Sequence, residues 1–262
     1  MIDTHIHLDQ YPREQMPKLI ATWQFQGIKG VVAVATDVRS SYNILELSEQ
    51  FSNFVFPCIG WHPEQRLPTD QEMLELLQLI KKEKNRIVGI GEIGLPYYAL
   101  TQLGASSLHR YIELFTTFVK IAKEYGLPVN LHAVYEQVDI VYDILIRENV
   151  IKAQFHWLKA DITMIKKLLT KGYYVSITPE VCYRERDIPL ISNVPMEQLL
   201  VETDGPWKFA GPFEGRWTTP LFINESLRKI SKLKNLSFEN VKQQVYMNSV
   251  MLYDRITTIR GE

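Results

Sequence analysis

Two hydrophobic patterns alternate along the chain. Short runs that are apolar throughout, or rich in β-branched residues, read as buried strands. Between them lie longer segments whose apolar positions repeat with helical spacing. The strand runs fall at residues 1–9, 30–36, 55–63 with its exit loop, 87–94, 128–133, 151–156, 173–178 and 199–204. The helical segments cover 16–26, 41–51, 70–84, 106–125, 135–148 and 162–170, and two more close the chain at 220–233 and 238–253. Gly27 stops the first helix, Thr69 or Asp70 caps the third, and Gly126 with Pro128 ends the longest. Residues 96–104 read as a loop, and an irregular stretch carries Pro179, Pro189 and Pro195. The longest non-helical segment, 206–219, follows the last strand.

Eight strands alternating with helices predict parallel strands joined by crossover helices. In 262 residues that pattern fits an α/β fold, a (β/α)8 TIM barrel of eight parallel strands with outer helices. A doubly wound open sheet is the alternative, because element order does not prove closure. No linker or low-complexity tract divides the chain, so residues 1–262 are expected to be a single barrel domain. Segment 206–219 would then lie over the barrel mouth.

Charge and composition narrow the function. Lys and Arg number 29 against 30 Asp and Glu, for a net charge of −1, which argues against a protein that coats nucleic acid non-specifically. It leaves room for an enzyme that grips a few phosphates in a cleft. The two cysteines, Cys58 and Cys182, form no CxxC pair, which disfavours a disulfide scaffold or a cysteine zinc site. No leader pattern opens the sequence and no apolar run approaches a membrane span, so a cytoplasmic protein without membrane or obligate protein partner is expected.

The chemistry-bearing residues gather at strand ends. His5 and His7 stand two apart on the first strand, a spacing that points both side chains to one face. Strand three leads into His62, strand four carries Glu92, strands five and six end in His132 and His156, and strand eight ends in Asp204. Only His109 among six histidines falls on a helix, where it reads as a surface residue. A single strand-end histidine is more often a hydrogen-bonded rim residue than a ligand. Together, however, these residues need one explanation rather than seven, since catalytic groups of a barrel come from the C-terminal ends of its strands. Four imidazoles (His5, His7, His132, His156) and two carboxylates (Glu92, Asp204) exceed the ligand set of one catalytic zinc. They suit two divalent ions sharing Glu92, with a water activated by both ions as nucleophile and Asp204 as metal ligand and proton acceptor. Zinc or manganese suits imidazole better than magnesium, although magnesium also serves phosphodiester chemistry.

These motifs resemble the TatD-type metal-dependent hydrolases, a branch of the amidohydrolase-like barrels. The resemblance runs through Asp3-Thr4-His5-Ile6-His7-Leu8-Asp9, Gly60-Trp61-His62-Pro63, Gly91-Glu92-Ile93-Gly94-Leu95, Leu131-His132, Phe155-His156 and Leu200-Val201-Glu202-Thr203-Asp204-Gly205-Pro206. It implies a (β/α)8 fold, two divalent metals and deoxyribonuclease activity, often 3′–5′ exonucleolytic, with DNA or oligonucleotide as substrate. By position, His5, His7 and Glu92 would hold one metal, and Glu92, His132 and His156 the other. Asp204 would sit beside the first, and His62 would contact phosphate or substrate.

Three loops depart from the family pattern. Pro96 follows Leu95 where Asp is usual, Ala133-Val134-Tyr135 replaces a segment with a nearby Arg, and Trp157-Leu158-Lys159-Ala160 replaces a Phe-Ser-Gly-like segment. All fall where substrate would be held. Lys159, Arg184, Arg186, Lys208 and Arg216 are candidate replacements for the missing cation, each read first as a solvated surface charge. Trp61, Trp157, Trp207 and Trp217 belong to the rim loops and suit base stacking or packing. A hydrolase of a small amide, lactone or phosphoester is the second functional reading. A non-catalytic metal-binding protein is the third, and the complete ligand set argues against it.

Overall fold

The computed structural model describes residues 1–103 and 107–261. Strands β1 (Ile2–Ile6), β2 (Gly30–Val34), β3 (Val55–Ile59), β4 (Gly89–Gly94), β5 (Val129–His132), β6 (Ala153–Phe155), β7 (Tyr174–Ile177) and β8 (Leu199–Val201) form one sheet in sequence order, every pair parallel. The sheet closes on itself. The His7 amide donates to the Gly205 carbonyl at 2.8 Å, and the Asp204 amide to the His5 carbonyl at 2.9 Å. Asp3 seals the same seam, its Oδ1 accepting from the Thr203 amide at 2.9 Å while Oδ2 accepts from the Thr203 hydroxyl. Closure settles the choice left open by element order in favour of the barrel.

The helices are α1 (Met16–Phe25), α2 (Val38–Gln50), α3 (Asp70–Glu83), α4 (Leu100–Leu103), α5 (Leu108–Tyr125), α6 (Gln137–Arg147), α7 (Ile162–Thr170), α8 (Asp187–Asn193), α9 (Ile223–Lys234), α10 (Phe238–Leu252) and α11 (Arg255–Arg260). Thr69 caps α3 in a reciprocal capping box with Glu72. Asp37 caps α2 by accepting from the Ser40 amide at 2.7 Å, which starts that helix three residues before the predicted Ser41. Gly126 adopts a left-handed conformation (φ 65°) that ends α5. The predicted starts of that helix at Ser106 and of the preceding loop's end at Gly104 lie outside the described residues.

Three short helices depart from the expected layout. α4 interrupts the loop predicted at 96–104, α11 follows the last predicted helix, and α8 lies in the stretch expected to be irregular. Pro189 does not prevent α8, because it occupies the first turn, where the missing N–H has no helical partner to lose. Among the described residues no helix is long and apolar enough to cross a membrane. Neither Cys58 nor Cys182 is in a disulfide.

Apolar burial falls into two main layers. The larger packs the outward faces of the strands against the helices, with Val31, Ala33, Ile90, Leu131, Phe155 and Val175 among its strand members. The smaller fills the barrel itself with Ile2, Val32, Val34, Phe56, Cys58, Val88 and Leu200, and is sealed below by Leu252, Tyr253 and Ile256. Above that plug the interior turns polar.

Candidate metal centre

Two strands break their regular pairing on the way to the site. The register shifts in β1 between Asp3 and Ile6, and in β4 between Ile90 and Ile93. Such irregularities re-aim side chains, and these two flank His5 and Glu92. Gly94 brings β4 and β5 together, because a Cβ there would overlap the carbonyl oxygen of His132. Glu92 lies at the floor of the mouth cavity and is fully buried.

The two oxygens of Glu92 face different partners. Oε2 lies 3.3 Å from His5 Nε2 and 3.4 Å from His7 Nε2. Asp204 Oδ1 completes that half, 3.5 Å from His5 Nε2 and 3.3 Å from His7 Nε2. Oε1 lies 2.9 Å from His132 Nδ1, 3.2 Å from His156 Nε2 and 3.3 Å from His62 Nε2. The donor atoms of His5, His7 and Glu92 fall within 4.8 Å of one another, as do those of His62, Glu92 and His132. His5 Nε2 and Glu92 Oε2 are buried and make no hydrogen bond. Buried polar atoms without a partner are costly, and a cation between them satisfies both. The donor set therefore fits divalent metal.

Outer neighbours favour one neutral tautomer for several of these rings. The Asn130 amide nitrogen donates to the Thr4 carbonyl (3.1 Å) and the Tyr253 hydroxyl (2.9 Å), so its Oδ1 accepts from His5 Nδ1 at 2.8 Å. The neutral His5 ring then offers its lone pair at Nε2. A carboxylate oxygen of Glu64 lies 3.1 Å from His132 Nε2, leaving the lone pair of that ring at Nδ1. Glu202 Oε1 faces His156 Nδ1 at 3.3 Å and leaves Nε2 to the site. His62 is arranged the other way. The Glu64 backbone N–H donates to its Nδ1 at 3.1 Å, so its proton sits on Nε2, the atom facing Glu92. In these neutral forms three rings offer a lone pair to the centre and His62 offers a proton, the difference between a metal ligand and a hydrogen-bond donor.

Burial and the facing charges set the proton affinity of each group. Burial alone would push the Glu92 carboxyl up, but the imidazoles of His62, His5, His156 and His132 hold it well below its ordinary value. Asp204 is likewise depressed, burial being outweighed by its hydrogen bond to His7 and by the other imidazoles. Burial works against protonation of His7, His132 and His156, yet the facing carboxylates raise all three. His62 alone is lowered, because burial prevails over Glu92. Glu64 is held down to about 2: burial opposes, but His132 and the amides of Tyr97 and Ala99 dominate.

The structure brings together His5, His7, His62, Glu92, His132, His156 and Asp204, and places His109 on the exposed face of α5. Glu64, Asn130 and Glu202 are site neighbours that the sequence reading did not single out. Asn130 and Glu202 stand two residues before His132 and Asp204, on the same strand face but one layer deeper. There, Gln154 Nε2 lies within 3.1 Å of oxygens of Ser176, Thr4 and Glu202, and the Tyr253 hydroxyl donates to Gln154 Oε1 at 2.8 Å.

A cavity of about 880 Å³ opens above the centre, and Tyr98, Tyr135, Trp157, Lys159, Arg186 and Trp207 contribute to its walls. Pro206 also lines it, so the segment after β8 does reach the mouth. Two of the candidate cations thus belong to the cavity. Arg216 instead lies over the rings of Phe213 and Phe222. Trp61 is buried, its indole donating to the Arg66 carbonyl at 2.9 Å, and Trp217 stacks on Tyr11 with ring centroids 5.7 Å apart.

Comparison with known proteins agrees with this geometry. The family model for TatD related DNase matches residues 2–254. A Haemophilus influenzae protein named as an uncharacterized metal-dependent hydrolase is 32% identical over 253 residues, covering 97% of this chain and 99% of its own. Human deoxyribonuclease TATDN3 is 26% identical, covering 98% and 95%. In three dimensions the chain is similar to YJJV, a TatD homolog from Escherichia coli, with TM-score 0.86 at 22% identity over 97% and 98% of the two chains. The chain therefore belongs to the TatD-related DNase family and is a metal-dependent hydrolase of that family.

Proposed function

We propose that the protein is a phosphodiesterase acting on the ends of DNA or on short oligonucleotides, with two divalent ions held on opposite sides of Glu92. The division of the two Glu92 oxygens between separate nitrogen sets carries this reading. His5, His7 and Asp204 would hold one ion, and His132 and His156 the other. Zinc or manganese suits these imidazole-rich sets, and magnesium is the third candidate. When bound, the ions supply Lewis acidity and make water a nucleophile at neutral pH.

The chain's own groups do the rest. Asp204 stays ionised and takes the proton of the attacking water at its carboxylate. His62, whose Nε2–H faces Glu92 in this structure, would donate that proton to a phosphoryl oxygen of the substrate; its side chain is 20% exposed, more than that of His7, His132 or His156. Asn130, Glu64 and Glu202 hold the ligand rings in the required tautomers. The naming of the human relative as a deoxyribonuclease supports the substrate class, and the resemblance implies 3′–5′ polarity. Two free thiols suit a reducing compartment such as the cytoplasm.

The test is cleavage of 5′-labelled single-stranded DNA with Mn²⁺, Mg²⁺ or Zn²⁺. The reading expects metal-stimulated shortening from the 3′ end that Glu92→Ala reduces to background. Cleavage that ignores metal, or survives Glu92→Ala, rejects it. A second reading keeps the ions and changes the bond to a small amide, lactone or phosphoester. The shortage of unpaired cations in the cavity favours it, and turnover of such esters with none of DNA would decide for it.

A further inference from the structure

The cavity over the metal centre has two cations in its wall, and they are not equivalent. Arg186 is already engaged. Its guanidinium bonds the Glu180 carboxylate and lies 3.5 Å from Asp187 Oδ1. Lys159 has no carboxylate within ion-pair distance among the described residues. Its Nζ donates to the Tyr98 hydroxyl at 2.8 Å, 4.6 Å from the centroid of the Trp157 ring and 5.4 Å from that of Tyr98. Aromatic faces hold an ammonium without neutralising it. Two of its N–H bonds remain for another acceptor.

The backbone under Lys159 is built rather than loose. Val134 and Lys159 form a parallel bridge between the loops leaving β5 and β6, and the Tyr135 amide donates to the Lys159 carbonyl at 2.7 Å. These are the loops that follow His132 and His156. The ammonium is thus carried by the same two strand exits that carry the second set of metal-facing nitrogens. Partial burial lowers its pKa, which marks a charge with incomplete hydration.

We propose that Lys159, seated on Trp157 and Tyr98, forms an anion subsite that takes a substrate phosphate other than the one placed at the metals. This rests on the phosphodiesterase reading and specifies it: the preferred ligand carries a second phosphate besides the one at the metals. Charge-assisted contacts to phosphate are strong enough to give about tenfold selectivity. Beyond Lys159 the surface turns acidic, with Glu136, Asp139, Asp161 and Asp187 lining the adjoining depression. That favours a short end over a long polyanion.

Calorimetry of the metal-loaded protein tests this with thymidine 3′,5′-bisphosphate against the 3′- and 5′-monophosphates. The wild type should bind the bisphosphate about tenfold or more tighter than either monophosphate. Lys159→Met should abolish the preference and Lys159→Arg should retain most of it. Equal affinity for all three ligands in the wild type, or a preference that survives Lys159→Met, overturns the assignment. Binding is read whether or not DNA is cleaved, so loss of this subsite and loss of the nuclease reading are separate results.

Discussion

Glu64 accepts four hydrogen bonds: from the amides of Tyr97 (2.7 Å), Tyr98 (3.0 Å) and Ala99 (2.6 Å), and from His132 Nε2 at 3.1 Å. One carboxylate thus holds the loop after β4 and a ring that faces Glu92. Glu64→Ala should weaken metal binding by about 10- to 100-fold, as loss of outer partners generally does. Competition with a chromogenic chelator measures it, and unchanged affinity would remove Glu64 from the centre. The residues that converge on the barrel mouth were legible in the sequence because His, Glu and Asp at strand ends have few other reasons to recur. Their supports were not, since a Glu two residues after His62 or an Asn two before His132 looks like any polar residue. A usable signal exists in retrospect: Asn130, Gln154 and Glu202 each precede a strand-end ligand by two, and so share its face. Lys159 was visible but read as a surface charge, because only contact shows that its neighbours are rings rather than water.

At the scale of elements, strand identity followed from β-branched runs and helix ends from glycine and capping residues. The register shifts in β1 and β4 had no such signal, although they flank His5 and Glu92. They arise from pairing between strands, which a single-strand pattern does not contain. Short α4, α8 and α11 were missed for a related reason: a segment of few turns shows too little periodicity to separate from a loop. Gly94 is where strand packing and chemistry meet. Gly94→Ala forces a methyl group against the His132 carbonyl, so β4 and β5 must separate. Urea unfolding should show a loss of about 2–3 kcal/mol, in the range of overpacked cores. A variant as stable as the wild type would mean that the strand spacing is not tight there.

The whole molecule is a barrel with an apolar floor and a polar upper layer. Tyr253 joins them: it is buried with Leu252 and Ile256, and its hydroxyl reaches Asn130 and Gln154. Tyr253 thereby supports the layer on which the site imidazoles rest. Eight-fold alternation made the barrel legible, and hydrogen bonds between His5 or His7 and residues 204–205 supply the closure that alternation could not prove. What the sequence left open is concentrated in the loops after β4, β5 and β6, where substrate would meet the metals.

Counting metals tests whether Glu92 divides one mouth into two metal positions. Protein reconstituted with Zn²⁺ or Mn²⁺, freed of excess ion and measured by inductively coupled plasma mass spectrometry, should carry two ions per chain. The double variant His5→Ala with His7→Ala should keep its circular dichroism spectrum and carry one. A single ion in the wild type, or full occupancy in the double variant, would contradict the account.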